Sequence, residues 1–374
     1  MQISYFLYFV FFVYILCFSN CSKQNDIQDI ITIFKKHSYY SLGPEKVREI
    51  ISNKGFEGLK EIDKNAGFIN KKIPKRNKFR ESLAFPGFIF QNIKGEIVVR
   101  KIFEASYASD IENFNEGSII NSLNGFPVSD LNSVLDNFLK RSGDSVKVHF
   151  KNNGISKEIS IKTSYPYFSV VWGFNIPEYN AIYLRISAFP RGIDNIIESE
   201  YASLSIKHKV GTLIIDLRSN ISGELNGLIE SLSLFADKGE FLFETVSDRE
   251  GYKSKFYSEK DGKFKDKKVI LIVNSQTSGF AEIFAAILKD LKNIYIIGEN
   301  TPGNLEITKT FKLKSGKYFS TTVALIKTSK GFANKIIPDN QISCELKKKA
   351  DFSMAPFPAL DMDICYMQAY SLLN

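Results

Sequence analysis

Histidine and cysteine are scarce in this chain, which has 374 residues but only three histidines and four cysteines. Three histidines leave little room for a histidine-rich metal centre, and four cysteines are too few for a disulfide scaffold. The sequence also lacks the motifs Cys-x-x-Cys, His-Glu-x-x-His and Gly-x-Ser-x-Gly, which mark metal or redox sites, zinc proteases and serine hydrolases. We therefore expect neither a metal nor a cofactor.

Charge of one sign is not concentrated either. The chain has 49 Lys and Arg against 41 Asp and Glu, a net charge of +8, and the two signs are interspersed. Proteins that bind nucleic acid more often gather positive charge into one stripe. With 44% hydrophobic and 24% charged residues, the composition is that of a folded protein. It predicts two or three globular domains and no nucleic-acid partner.

The longest apolar run covers residues 5–18, close to the N-terminus. It is shorter than the roughly 20 residues of a membrane-spanning helix and is followed by polar residues, as in a signal peptide. Residues 18–21 (FSNC) resemble a bacterial lipobox, which implies that Cys21 carries lipid and becomes the first mature residue. Asn20 is a permissive residue for that motif, and no Lys or Arg precedes the run. An uncleaved signal anchor is the alternative.

Both interpretations place the body of the protein outside the cytoplasm, anchored to a membrane on its periplasmic or cell-surface side. Cleavage would remove Cys17 and lipid would occupy Cys21, so Cys344 and Cys365 would remain as a possible disulfide pair. Residues 64–80 are basic and poor in apolar residues. They predict a solvated linker, with contact to anionic lipid as the alternative.

Apolar runs of strand length begin after residue 84. They lie at residues 88–90, 97–99, 119–123, 146–150 and 159–161, with a predicted helix over 129–139. The order of these pieces resembles a PDZ domain, with Gly87 and Phe88 near the peptide-binding loop. This resemblance implies that unfolded or C-terminal peptide segments of proteins bind by strand addition. Pro86 has no N–H and would remove one donor from that loop.

Beyond residue 163 the chain alternates apolar strands with helices. Strands are predicted over 211–217, 269–273 and 293–297, with helices after the first and over 280–288. Such continuous apolar runs are typical of parallel strands buried on both faces. The pattern therefore predicts an α/β core.

Three segments of this core resemble the tail-specific, or carboxyl-terminal processing, serine protease family. Residues 216–223 (DLRSNISG) resemble its Asp-Leu-Arg-x-Asn-Pro-Gly-Gly segment. Residues 274–282 (NSQTSGFAE) resemble its nucleophile segment, Asn-x-x-Thr-x-Ser-x-Ala-Glu, and residues 298–304 (GENTPGN) its Gly-Glu-x-Thr-x-Gly-Lys segment. The resemblance implies an α/β fold: a crotonase-like protease core with an inserted PDZ-like mixed β domain and an N-terminal helical segment.

The expected domain organisation has five parts. They are a lipoprotein-type signal peptide (1–20), a helical leader with the basic linker (21–84), a PDZ-like domain (85–163), a tail-specific-protease-like core (164–345) and a C-terminal helical segment (346–374).

The resemblance implies a serine nucleophile and a lysine general base, yet this chain has neither at the matching positions. Gly279 stands at the serine position and Asn304 at the lysine position. Glycine has no side chain to attack with, and an asparagine amide does not accept a proton near neutral pH. Ser278 is the fallback nucleophile, although a shift of one residue at a helix start turns a side chain by about 100°.

The oxyanion region is also changed, because Ser222 and Gly223 follow Ile221 where the family has Pro-Gly-Gly. Lys309, His149 and His208 are the candidates for a substitute base, and none of them lies in a recognisable catalytic motif. The leading hypothesis is a non-catalytic peptide- or protein-binding lipoprotein. The alternatives are an active serine endopeptidase that uses Ser278 and a surface lipoprotein with an inherited fold.

Overall fold

The computed structural model describes residues 24–69, 85–104, 106–128, 145–163, 168–206, 209–344 and 359–374. The predicted signal peptide with Cys21, most of the basic linker, the predicted helix over 129–139 and His208 lie outside these residues. Among the residues described, no helix is long and apolar enough to span a bilayer.

The helices begin with α1 (24–36) and α2 (Pro44–Lys54) and continue with α3 (Ile193–Leu204), α4 (Leu225–Ser233), α5 (Phe280–Leu291) and α6 (Ile364–Ser371). The strands are β1 (Gly67–Phe68), β2 (Phe88–Ile93), β3 (Glu96–Ile102), β4 (Ile119–Leu123), β5 (Phe126–Pro127), β6 (Ser145–Asn152), β7 (Ile155–Lys162), β8 (Val171–Ile176), β9 (Ala181–Ile186), β10 (Thr212–Asp216), β11 (Phe241–Val246), β12 (Ser254–Tyr257), β13 (Lys268–Val273), β14 (Tyr295–Gly298), β15 (Glu306–Lys312), β16 (Tyr318–Thr328), β17 (Gly331–Phe332) and β18 (Asn340–Gln341).

The chain divides into two compact units. The first contains the described residues up to 69 together with 243–256 and 305–332, and the second contains the remainder. Two segments of the expected protease-like core therefore group with the N-terminal helices.

The first unit packs helices against a sheet. Pro44 starts α2 directly after Gly43, since its fixed φ suits the first helical turn. The sheet has the order β1-β16-β11-β12, and β15 and β17 also pair with β16. Apolar side chains at helical spacing in α1 and α2, including Phe34 and Val47, pack with Leu59 and Phe319 in one buried cluster.

The central sheet of the second unit has the order β18-β14-β13-β10-β9-β8. Its neighbours pair in parallel except for β8, which is antiparallel to β9. One face packs against α6, where Tyr366 and Ala369 join Ile214 and Ile272 in a buried cluster. The buried strands explain the continuous apolar runs in the sequence. The predicted α/β class is confirmed.

A second sheet in this unit is antiparallel and has the order β2-β3-β4-β6-β7, with β5 paired to β4. Its core is rich in aromatic side chains, and Phe88, Phe90, Phe114 and Phe150 are all buried there. Its strands coincide with the apolar runs predicted between residues 88 and 161.

The C-terminal segment is tied to the central sheet of the second unit. A disulfide joins Cys344, which follows β18, to Cys365 in α6. Asp363 caps α6 by accepting a hydrogen bond from the Tyr366 amide at 3.0 Å. This cap satisfies one of the free amides in the first turn of α6.

Candidate active site

The segment that resembles the nucleophile motif lies between β13 and α5, beside the turn that follows β10. Asn274 Oδ1 accepts a hydrogen bond from the Ser219 amide at 2.9 Å, and Thr277 Oγ1 donates to the Leu217 carbonyl at 3.0 Å. Because β10 and β13 are parallel neighbours, both turns leave the same edge of the sheet, where α/β proteins place their sites. The topology thus brings two of the three sequence motifs together.

Gly279, at the expected nucleophile position, is the N-terminal cap of α5. Its φ is +63°, which favours glycine, and its amide donates to Glu282 Oε2 at 3.3 Å. A Cβ built on Gly279 would meet no atom within 4 Å. The space for a side chain is therefore open, and only the backbone conformation favours glycine.

We expect Gly279→Ala to lower the free energy of unfolding by about 1–2 kcal/mol, because an L-residue is strained at this φ although it meets no clash. Urea unfolding measures the change. Gly211→Ala is the matched control, since its Cβ also meets nothing within 4 Å and its backbone has no positive φ. Equal effects of the two substitutions would contradict strain at Gly279.

Glu282 connects the second and third motifs. Its buried carboxylate accepts hydrogen bonds from the amides of Gly303 at 2.6 Å and Asn304 at 2.8 Å, besides that of Gly279. Two adjacent amides on one carboxylate fix the end of the 298–304 segment against the start of α5. The motif contains this glutamate, but sequence reasoning assigned it no role.

The structure brings the fallback nucleophile into contact with the degenerate base position. Asn304 Nδ2 donates to Ser278 Oγ at 2.9 Å, and the Ser278 amide donates to the Asn220 carbonyl at 3.0 Å. An amide N–H on this hydroxyl oxygen is a donor and cannot remove the hydroxyl proton.

The turn that resembles the oxyanion segment is hydrogen-bonded to strand β9 and to the loop after it. Asn220 Nδ2 donates to the Ile186 carbonyl at 3.0 Å, and the Ser222 carbonyl accepts from the Phe189 amide at 3.0 Å. A Cβ on Gly223 would lie 3.0 Å from Phe189 Cβ, so close packing favours glycine there.

The substitute bases have other partners. Lys309 Nζ donates to Tyr252 Oη at 3.2 Å within the first unit, and His149 Nε2 hydrogen-bonds with Ser156 Oγ at 3.0 Å in the antiparallel sheet. Within the part of the chain that the structure describes, no lysine amine or histidine imidazole is hydrogen-bonded to Ser278.

A buried charged cluster supports the start of the turn after β10. Asp216 accepts from Tyr183 Oη at 2.6 Å and from the guanidinium groups of Arg185 at 2.9 Å and Arg218 at 2.6 Å. Arg218 also binds both carboxylate oxygens of Asp363, at 2.8 and 2.6 Å. Burial alone would raise the pKa of Asp216, but the two arginines and the Tyr183 hydroxyl hold it well below its usual range.

The residues expected near the peptide-binding loop lie at the start of β2: Pro86 and Gly87 precede the strand and Phe88 begins it. Gly87 has a φ of +86°, and its carbonyl accepts from the Phe103 amide at 2.9 Å and from Ser106 Oγ at 3.3 Å. Phe88 is fully buried in the core of the antiparallel sheet. Pro86 is buried as well.

Acidic, histidine and cysteine side chains do not gather into a metal-binding group of three or more in the described ranges.

Comparison with known proteins identifies this domain. Residues 180–342 match the model of peptidase family S41. The chain therefore contains a peptidase family S41 domain. It is 28% identical over 228 residues to the carboxy-terminal processing protease CtpA of Bacillus subtilis, covering 60% of this chain and 47% of that protein. It is 27% identical over 167 residues to the chloroplastic C-terminal processing peptidase of Tetradesmus obliquus, covering 44% and 35%. The chain thus matches about half, or less, of the length of these curated relatives.

Among solved structures, a putative S41 protease from Bacteroides fragilis superposes with a TM-score of 0.50 at 14% identity, over 92% of this chain and 96% of that one. At this identity the likeness concerns the fold alone. The predictions of the tail-specific protease family and of its α/β fold are confirmed.

Proposed function

We propose that this tail-specific protease family member is a non-catalytic protein- or peptide-binding module, exported and anchored to a membrane through lipid on Cys21. The observation that carries the proposal is the contact between Ser278 Oγ and Asn304 Nδ2 at 2.9 Å, beside a glycine at the nucleophile position. The hydroxyl near the expected site meets an amide donor where a protease needs a base.

The chemistry of amide hydrolysis explains why this contact matters. A serine hydroxyl attacks an amide only when a neighbouring group takes its proton, and loss of such a nucleophile–base unit can lower the rate on the order of a million-fold. Ser278 has a hydroxyl but no lysine or histidine hydrogen-bonded to it among the described residues, and Gly279 has no reactive group. The alternative of an endopeptidase that uses Ser278 would need a base that these contacts do not supply.

Binding without cleavage uses features that do not depend on a serine nucleophile and a lysine base. Relatives of this chain are named as processing protein C-termini, which supports a protein or peptide ligand. We propose that residues 85–163 form a PDZ-like module, because their antiparallel strands follow the expected order. Such a module captures an extended peptide along a strand edge through main-chain hydrogen bonds.

The test is to incubate the soluble chain with fluorescently labelled, unfolded casein. We expect measurable binding by fluorescence anisotropy and no fragments by gel electrophoresis, for the wild type and for Ser278→Ala alike. Ser275→Ala serves as the matched control in the same segment. Cleavage by the wild type that disappears in Ser278→Ala but persists in Ser275→Ala would establish the endopeptidase and overturn the proposal.

A further inference from the structure

Strand β2 is the edge strand of the antiparallel sheet. It pairs with β3 from Phe88↔Ile102 to Ile93↔Glu96, and the order β2-β3-β4-β6-β7 leaves its other edge outermost. An extended segment can pair with the outward N–H and C=O groups of an outermost strand.

The chain itself covers part of that edge. Ala359 forms an isolated parallel bridge with Phe90, and Asp361 Oδ2 accepts a hydrogen bond from the Asn92 amide at 2.7 Å. Ala359 is fully buried in the same cluster as Phe88 and Phe90, and Met362 packs against that cluster. Residues 359–361, which we name the strap, therefore use both backbone pairing and side-chain burial, as an added strand does.

The strap is fixed at its C-terminal end. Asp363 binds Arg218 and caps α6, and the disulfide of Cys365 to Cys344 ties the same helix to the segment after β18. Leu360 points into the cluster that contains Tyr366. The strap is thus presented to β2 from a rigid base, which raises its effective concentration at the edge.

We propose that the strap is an internal ligand of the outer edge of β2, and that an external peptide adds to this edge only by displacing it. This inference rests on the proposed function and names the ligand class. The buried methyl group of Ala359 calls for a small apolar residue opposite Phe90. The Asn92 amide calls for an acidic residue two positions later. The ligand is therefore an extended segment of the pattern small-x-acidic.

The probe is a fluorescein-labelled peptide that copies residues 357–363 (FPALDMD), titrated against the full chain. We expect Asp361→Asn to bind it with a Kd at least about tenfold lower than the wild type, because a neutral amide oxygen accepts the Asn92 hydrogen bond more weakly than a carboxylate and so loosens the strap. Glu112→Gln is the matched control; it also removes one negative charge, at an exposed side chain of the same unit, and should bind like the wild type. Ala359→Gly, which only removes the buried methyl group, gives a second opened variant.

Hydrogen–deuterium exchange at the Asn92 amide reports the strap directly. Exchange should be faster in Asp361→Asn and unchanged in Glu112→Gln. Equal peptide affinity of wild type and opened variants would overturn the inference, and so would faster exchange without any peptide binding. Neither result would contradict the proposed function, which is tested separately by casein binding without cleavage. Cleavage of casein would overturn that function whatever the peptide does.

Discussion

Replacing Arg218 with methionine is expected to lower the free energy of unfolding by about 3–5 kcal/mol, one of the two largest effects that this structure predicts. The Arg218 side chain is only 12% exposed and pairs with Asp216 and Asp363 at once. Without it, Asp363 loses its bidentate partner, and Asp216 keeps Arg185, Tyr183 and the backbone amide of residue 218 but loses one of its two guanidinium partners. A buried carboxylate that loses its counter-ion pays most of its desolvation cost.

Urea unfolding at constant slope measures this change. Arg218→Lys should have an intermediate effect, because one ammonium cannot reproduce the bidentate geometry to two carboxylates. Arg191→Met is the surface control, since Arg191 is exposed, and should change stability by less than about 0.5 kcal/mol. An Arg218→Met variant within 1 kcal/mol of the wild type would show that the cluster contributes little.

The pH dependence of stability follows from the same cluster. The pKa of Asp216 is lowered in the folded chain, so its contribution is fully present above the ordinary carboxyl pKa of about 3.9 and is lost as the pH falls below that value. Acid therefore acts in the same direction as removal of Arg218, because both leave the cluster with uncompensated charge.

The sequence was sufficient for the parts of the fold that local pattern determines. Apolar runs located β10 and β13, since such a run is a signal within a few neighbouring residues. The three family motifs located Gly279 and Asn304, because spacing within a motif is read along the chain.

Contacts between distant segments could not be read in this way. The guanidinium of Arg185 donates to the carbonyl of Arg218, which is 33 residues away in the sequence. The side chain of Arg218 donates to Asp363, which is 145 residues away. The bridge between Phe90 and Ala359 likewise depends on how the C-terminal segment returns to β2. Tertiary packing alone creates these partners, so no local propensity signals them.

The two compact units illustrate the same limit at a larger scale. Residues 305–332 follow the third motif in the chain, and their strands β15 and β16 pair within the sheet of the first unit. The pattern of apolar residues along a segment predicts that it forms a strand, whereas the strands with which it pairs depend on the whole topology.

The second large effect is a gain of activity. The double variant Gly279→Ser with Asn304→Lys is expected to hydrolyse unfolded casein at least about a hundredfold faster than Gly279→Ala with Asn304→Lys. The backbone at 279 has room for a side chain, since a Cβ there meets no atom within 4 Å, and φ at this helix start resembles the strained turns that expose nucleophiles. Residue 304 is held in place by the bond from its amide to Glu282 at 2.8 Å, which does not depend on its side chain.

Each single variant separates the roles of the two groups. Gly279→Ser alone restores the hydroxyl without a base, and Asn304→Lys alone restores an amine without a nucleophile, so both should stay near the rate of the alanine control. Initial rates with labelled casein, together with circular dichroism to establish folding, make the comparison. A folded double variant with the control rate would place the defect elsewhere, with the turn at Ile221 and Ser222 as the next position to restore. A fast double variant with slow single variants would show that two side chains separate this chain from an active protease, because the backbone that positions them is still in place.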